Sequence, residues 1–125
     1  MPPITRFEEL HAWQESRKLH QEIVKLCATP PFKREWRLVA QMLAASRSVG
    51  ANIAEGFERY TPGEFALKLY IAKGEAGELR SYICFALDEG RLDSACHDAL
   101  VARAESVGRP IGALRAAVAK RKPGK

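Results

Sequence analysis

Apolar residues recur along this chain at alternating steps of three and four, in stretches broken by proline and glycine. That period is the signature of amphipathic α-helices. In the second stretch Val39, Met42, Ser46, Val49, Ile53 and Gly56 keep the rhythm; in the third Phe65, Leu69, Ala72, Ala76, Leu79, Ile83 and Ala86 do. The first is marked by Phe7, Leu10, Trp13, Leu19, Ile23 and Leu26, the last by Cys96, Leu100, Ala104, Val107, Ile111, Leu114 and Val118. End signals place four helices at about 5–27, 33–58, 62–89 and 93–122. Thr5 with Glu8, and Thr61-Pro62-Gly63-Glu64, read as capping boxes. Gly90 is a candidate C′ glycine and Asp93 a candidate N-cap. Pro110 lies inside the last helix, where it removes a donor and predicts a kink. Short connections make neighbouring helices antiparallel, giving an all-α, up-down-up-down four-helix bundle over residues 1–119, with a basic C-terminal tail at 120–125.

Two departures from simple amphipathicity carry the functional reading. The third helix has a second apolar set, Leu67, Ile71, Gly74, Tyr82 and Phe85, roughly opposite the first at 3.6 residues per turn. One bundle core buries a single face, so Leu67, Ile71, Tyr82 and Phe85 are a candidate oligomer interface. The second helix carries Gln41, Ser48, Asn52 and Glu55 along one polar stripe beside its apolar seam. We expect a partly buried structural network that sets helix register, in which Asn52→Ala would strand buried partners. Arg59 and Arg17 are the candidate partners of Glu55. Gly50 sits among small residues that permit close helix approach.

The net charge of +5 is unevenly distributed: Lys120, Arg121, Lys122 and Lys125 supply four of the charges. With Arg115 these are candidate nucleic-acid contacts, RNA or DNA, set against the alternative of a solvated helix end favoured by the macrodipole. No aromatic is interleaved with them in the sequence, so base stacking has no support there. Cys27, Cys84 and Cys96 fit no disulfide or zinc spacing and are expected as small buried hydrophobes. Trp13 is expected in the core, Trp36 partly buried in packing or an interface. No stretch approaches the ~18 apolar residues of a membrane span, and no secretory leader is visible, so a cytoplasmic protein is expected.

The order Phe7-x-x-Leu10-x-x-Trp13, Gln41, Ser48-Val49-x-x-Asn52-Ile53-Ala54-Glu55-Gly56, Glu64-Phe65, Ile71-Ala72-Lys73-Gly74 and Glu78-Leu79 resembles the 23S rRNA-intervening-sequence (S23-type) family. Glu75 stands where relatives commonly have Ser, and Gly108-Arg109-Pro110-Ile111-Gly112 interrupts a usually continuous apolar run. The resemblance implies a left-handed bundle assembled as a ring-like homopentamer. The accessory protein of diversity-generating retroelements, which binds nucleic acid and a reverse transcriptase, is similar in fold.

These readings converge on a non-enzymatic, oligomeric binding or scaffold protein with nucleic acid as the favoured partner. The alternative is a ring that binds only another protein. No residue set makes a catalytic or metal site, and no cofactor is expected: the carboxylate and amide of the second helix lack a nucleophile, and no Glu-x-x-His pair is present.

Overall fold

The computed structural model describes residues 3–59 and 61–120. Four helices account for nearly all of them: α1 (His11–Cys27), α2 (Trp36–Glu58), α3 (Pro62–Asp88) and α4 (Ser94–Ala119). Short 3-10 turns at Phe7–Glu9 and Pro30–Phe32 precede α1 and α2. The basic tail beyond Lys120, including Arg121, Lys122 and Lys125, lies outside the described residues.

Each helix packs on its sequence neighbours, and α1 closes the bundle on α4. The pairings run in opposite senses. His20 meets Ser46 while Ser16 faces Gly50 across α1 and α2, and Cys84 meets His97 while Arg80 reaches Glu105 across α3 and α4. The predicted seams are the buried ones. All of Phe65, Leu69, Ala72, Ala76, Leu79, Ile83 and Ala86 are buried, as are Met42, Val49 and Ile53 of α2 and Leu100, Val107, Ile111 and Val118 of α4.

The ends follow local chemistry. The Thr61 hydroxyl accepts from the Glu64 amide at 3.2 Å, with Pro62 in the first turn. After α3, Gly90 adopts a φ of 74°, its amide reaching the Leu87 carbonyl and that of Arg91 the Ala86 carbonyl. This is a Schellman stop, which only a residue without Cβ enters freely. The Asp93 carboxylate caps α4 through the Cys96 amide at 2.8 Å.

Two helix starts and one capping residue are corrected. The first helix begins at His11, not Thr5, because Leu10 is extended (φ −70°, ψ 127°) and separates it from the 3-10 turn. The box residue is Glu9, whose Oε1 accepts from the amides of Thr5 and Arg6, while Glu8 pairs with the Arg6 guanidinium. The second helix begins at Trp36 because the Pro30–Phe32 turn and the non-helical Glu35 take up the preceding chain. Helix α4 is continuous from Ser94 to Ala119 with Pro110 inside it, as the single fourth helix expected from the sequence.

Single residues also differ. Cys84 is exposed, off the α3 seam; Cys27 and Cys96 pack against the core but are only half-buried, at the last residue of α1 and in the first turn of α4. Trp13 is half-buried and edge-on to Phe7 at 5.2 Å, whereas Trp36 is 71% exposed, at the first turn of α2. Among the described residues no helix is long and apolar enough to cross a membrane.

Candidate nucleic-acid interface

The polar stripe of α2 does not form one network. Asn52 is half-buried, and its amide donates to the Ser48 carbonyl at 2.8 Å and to the Ser48 hydroxyl at 3.0 Å, both within its own helix. Glu55 is exposed and spans helices: it pairs with Arg59 at 2.8 Å and with Lys68 of α3 at 3.2 Å. These cations hold its carboxyl below the ordinary range, Arg59 first. Arg17, the other candidate partner, stands over the Trp13 ring. Gln41 and Ser48 face a groove with Glu75, Glu78 and Tyr82 of α3, where the Tyr82 hydroxyl donates to Glu78 at 3.1 Å. No ion pair among the described residues reaches Glu75 or Glu78, and burial together with the Glu78 charge pushes the Glu75 carboxyl up.

The outer face of α3 is apolar in the manner expected for its second set. Leu67 and Phe85 are each 57% exposed and Ile71 is exposed beside them, while Tyr82 is half-buried against α2. Tyr70, not anticipated, joins this surface at 61% exposure.

Beside Tyr70 lies a groove between α3 and α4, with a cavity volume of about 400 Å³. Lys73 and Arg80 border it from α3, Arg109 and Glu105 from α4. Gly77, Gly108 and Gly112 line it, and a Cβ built at any of these would meet nothing within 4 Å. The floor is thus open backbone flanked by cations. The single carboxylate lining it, Glu105, is held only at 3.9 Å by Arg80. Farther along α4, Arg115 stacks over the Tyr70 ring at 5.1 Å, and exposed Lys120 caps the helix. Of the sequence candidates, Arg115 and Lys120 therefore share the end of α4 with an aromatic.

Sequence reasoning missed Lys73, Arg80 and Arg109 because they are dispersed along two helices. The signal was the glycine pair Gly108 and Gly112 on one side of α4, facing Gly77.

Among the described residues no three His, Cys, Asp or Glu side chains gather closely enough to hold a metal. The arrangement offers positive charge, exposed helix backbone and one stacked ring, which suits binding an extended polyanion.

Residues 8–113 match the family model described as 23S rRNA-intervening sequence protein. The chain belongs to that family. The matched segment takes in all of α1, α2 and α3 and α4 through Ala113, so the groove residues Lys73, Arg80 and Arg109 lie within it, while Arg115 and Lys120 lie beyond it. The fold is also similar to a crystal structure from Bacteroides thetaiotaomicron, a protein of unknown function from the S23 ribosomal protein family. The two share 19% identity at a TM-score of 0.75, over 84% of this chain and 95% of the other. No curated protein matches the chain. The description of the intervening-sequence family names no enzymatic activity.

Proposed function

We propose that this intervening-sequence protein is a non-enzymatic, oligomeric binding protein whose α3–α4 groove receives a nucleic-acid backbone. The observation that carries the reading is the row of Lys73, Arg80 and Arg109 along an open glycine floor, ending at the Arg115–Tyr70 stack. Cations at helix spacing neutralise successive phosphates, and glycine lets the strand approach the helix backbone. Tyr70 supplies the ring on which a base stacks. Copies joined in a ring, the homopentamer that the family resemblance implies, would repeat this groove and the basic tail around one assembly.

Fluorescence anisotropy with single-stranded RNA and DNA across a salt series tests it. The Lys73→Gln/Arg109→Gln pair is expected to weaken binding tenfold or more and to lower the salt slope by roughly 1.5, from about 0.7–0.9 per phosphate contact. Tyr70→Ala should weaken single strands by about 1–3 kcal/mol. Binding unchanged in both variants would remove the groove from the function. Truncation after Ala119 separates the tail's share.

A second reading, a protein-interaction scaffold without nucleic acid, is favoured by the exposed Leu67, Ile71 and Phe85 stripe. The salt-series binding measurement separates the two readings, and light scattering of the Leu67→Glu/Phe85→Glu variant tests the stripe. Loss of assembly with binding retained assigns the stripe to self-association. A monomeric parent protein at micromolar concentration would overturn self-association through this face.

A further inference from the structure

A second concavity lies on the opposite flank of α2, against α1, and the nucleic-acid reading does not use it. Its volume is about 280 Å³. Trp13, Ser16, Arg17 and His20 line it from one helix, and Ser46, Arg47, Gly50 and Ala51 from the other. Gly50 lets α1 pack closely on α2 at this point: a Cβ there would stand 2.8 Å from the Ser16 hydroxyl and 3.4 Å from the Trp13 Nε1. The indole edge thus rests against the α2 backbone and forms one wall of the slot, which Arg47 and Ala51 also line.

The charged groups around this slot are cationic. Arg17 lies over the Trp13 ring at 5.8 Å, and neither Arg17 nor Arg47 has a carboxylate partner among the described residues. The Trp13 indole N–H makes no hydrogen bond among the described residues. The neighbouring hydroxyls are turned to backbone carbonyls. The Ser16 hydroxyl donates to the Trp13 carbonyl at 2.6 Å, and Ser46 Oγ, 2.7 Å from His20 Nδ1, donates to the Leu43 carbonyl at 3.1 Å. Burial, and then the Arg47 charge, push the His20 ring below its ordinary pKa, so the ring is neutral at pH 7 and the two guanidinium groups carry the charge. A slot with an aromatic wall, a glycine–alanine floor and two unpaired guanidinium groups suits a guest that is apolar at one end and anionic at the other.

We propose that the α1–α2 slot is a binding site for a small organic anion, a carboxylate or phosphate monoester carrying one ring-sized apolar group. The apolar group lies against Trp13 over Gly50 and Ala51, and the anion meets Arg17 and Arg47. At about 280 Å³ the slot is smaller than the α3–α4 groove at about 400 Å³ and shares no residue with it.

The test uses the full chain carrying Trp36→Phe, which leaves Trp13 as the one tryptophan. Trp13 fluorescence is titrated with benzoate and phenyl phosphate, with benzyl alcohol as the uncharged control and inorganic phosphate as the charge-only control. Saturable change by both aryl anions at about millimolar concentration or below, with benzyl alcohol and phosphate at least tenfold weaker, is the expected result. Arg47→Gln should weaken the aryl anions tenfold or more, and Ala51→Leu should abolish their binding by filling the floor. Both positions are exposed, so both variants retain the fold. Benzyl alcohol equal to benzoate, phosphate equal to phenyl phosphate, no saturation by about 10 mM, or titrations unchanged in both variants would each overturn the proposal. RNA binding through the other groove is unaffected by either result.

Discussion

Gly56 of α2 lies so close to Phe65 of α3 that a Cβ on it would stand 2.9 Å from Cδ1 of the ring, and 2.8 Å from the Lys68 Cβ. The two helices meet here with no room for a methyl group, next to the turn that joins them. The ring itself is held edge-on by Phe57 at 6.1 Å. Gly56→Ala is therefore expected to destabilise by about 1–2 kcal/mol, since overpacking outweighs the helix-propensity gain of about 1 kcal/mol. Gly74 is the contrast: nothing lies within 4 Å of its built Cβ, so Gly74→Ala should stabilise by up to about 1 kcal/mol. Urea midpoints of the two variants should move in opposite directions.

Arg103 of α4 reaches Glu15 at 3.4 Å and Glu22 at 3.3 Å on α1, fastening the seam with the fewest packing contacts among the four helix pairs. Glu15 is buried, and Lys18 is its other partner. Arg103→Ala should destabilise by about 1–3 kcal/mol by leaving a buried carboxylate with one cation. Lys18 first, with smaller help from His11 and Arg103, holds the Glu15 carboxyl below its ordinary value. The unfolded chain thus binds the proton more readily, and the contribution is complete above about pH 4.5 and fades as pH falls through the lower folded pKa. Acid titrations of thermal stability should converge for parent and variant below that point.

Glu75 has the opposite sign. Its folded pKa lies above 4.5, so the folded chain holds the proton longer and ionisation weakens the fold as pH rises through that raised value. Glu75→Gln should stabilise at pH 7 by on the order of 0.5 kcal/mol, with no gain below about pH 4. A melting temperature unchanged at pH 7 would show that the Glu75–Glu78 repulsion is relieved in solution.

Asn52→Ala is expected to lower stability by less than about 1 kcal/mol. The Ser48 carbonyl and hydroxyl it leaves are on its own helix and within reach of water, and alanine recovers helix propensity. A urea midpoint corresponding to a loss of 2 kcal/mol or more would restore a role in docking the helices.

What was legible beforehand followed from periodicity and punctuation. The buried stripe of α3 was readable residue by residue because seven positions at steps of three and four admit one burial face. Gly90 and Asp93 were readable because stop and cap chemistry is local. The start of α1 was not: Thr5 is followed by both Glu8 and Glu9, and spacing alone does not say which carboxylate turns back. The polar stripe of α2 was seen as one unit, but one face of a helix points at several neighbours. Glu55 turned to Lys68, Asn52 to its own backbone, and Gln41 to a groove completed by α3. The basic groove was illegible because its parts come from helices whose register only packing sets.

The unequal seams have a consequence for how guests enter. The α2–α3 and α3–α4 contacts are more extensive than those of α1 with either neighbour. A guest between α3 and α4 meets a preformed cradle and loses little conformational freedom from the host on binding. A guest between α1 and α2 would bridge a less extensively packed helix pair and add to what holds α1 in the bundle. On these proposals a guest in the α1–α2 slot would raise the melting temperature by reinforcing the more sparsely joined side of the bundle.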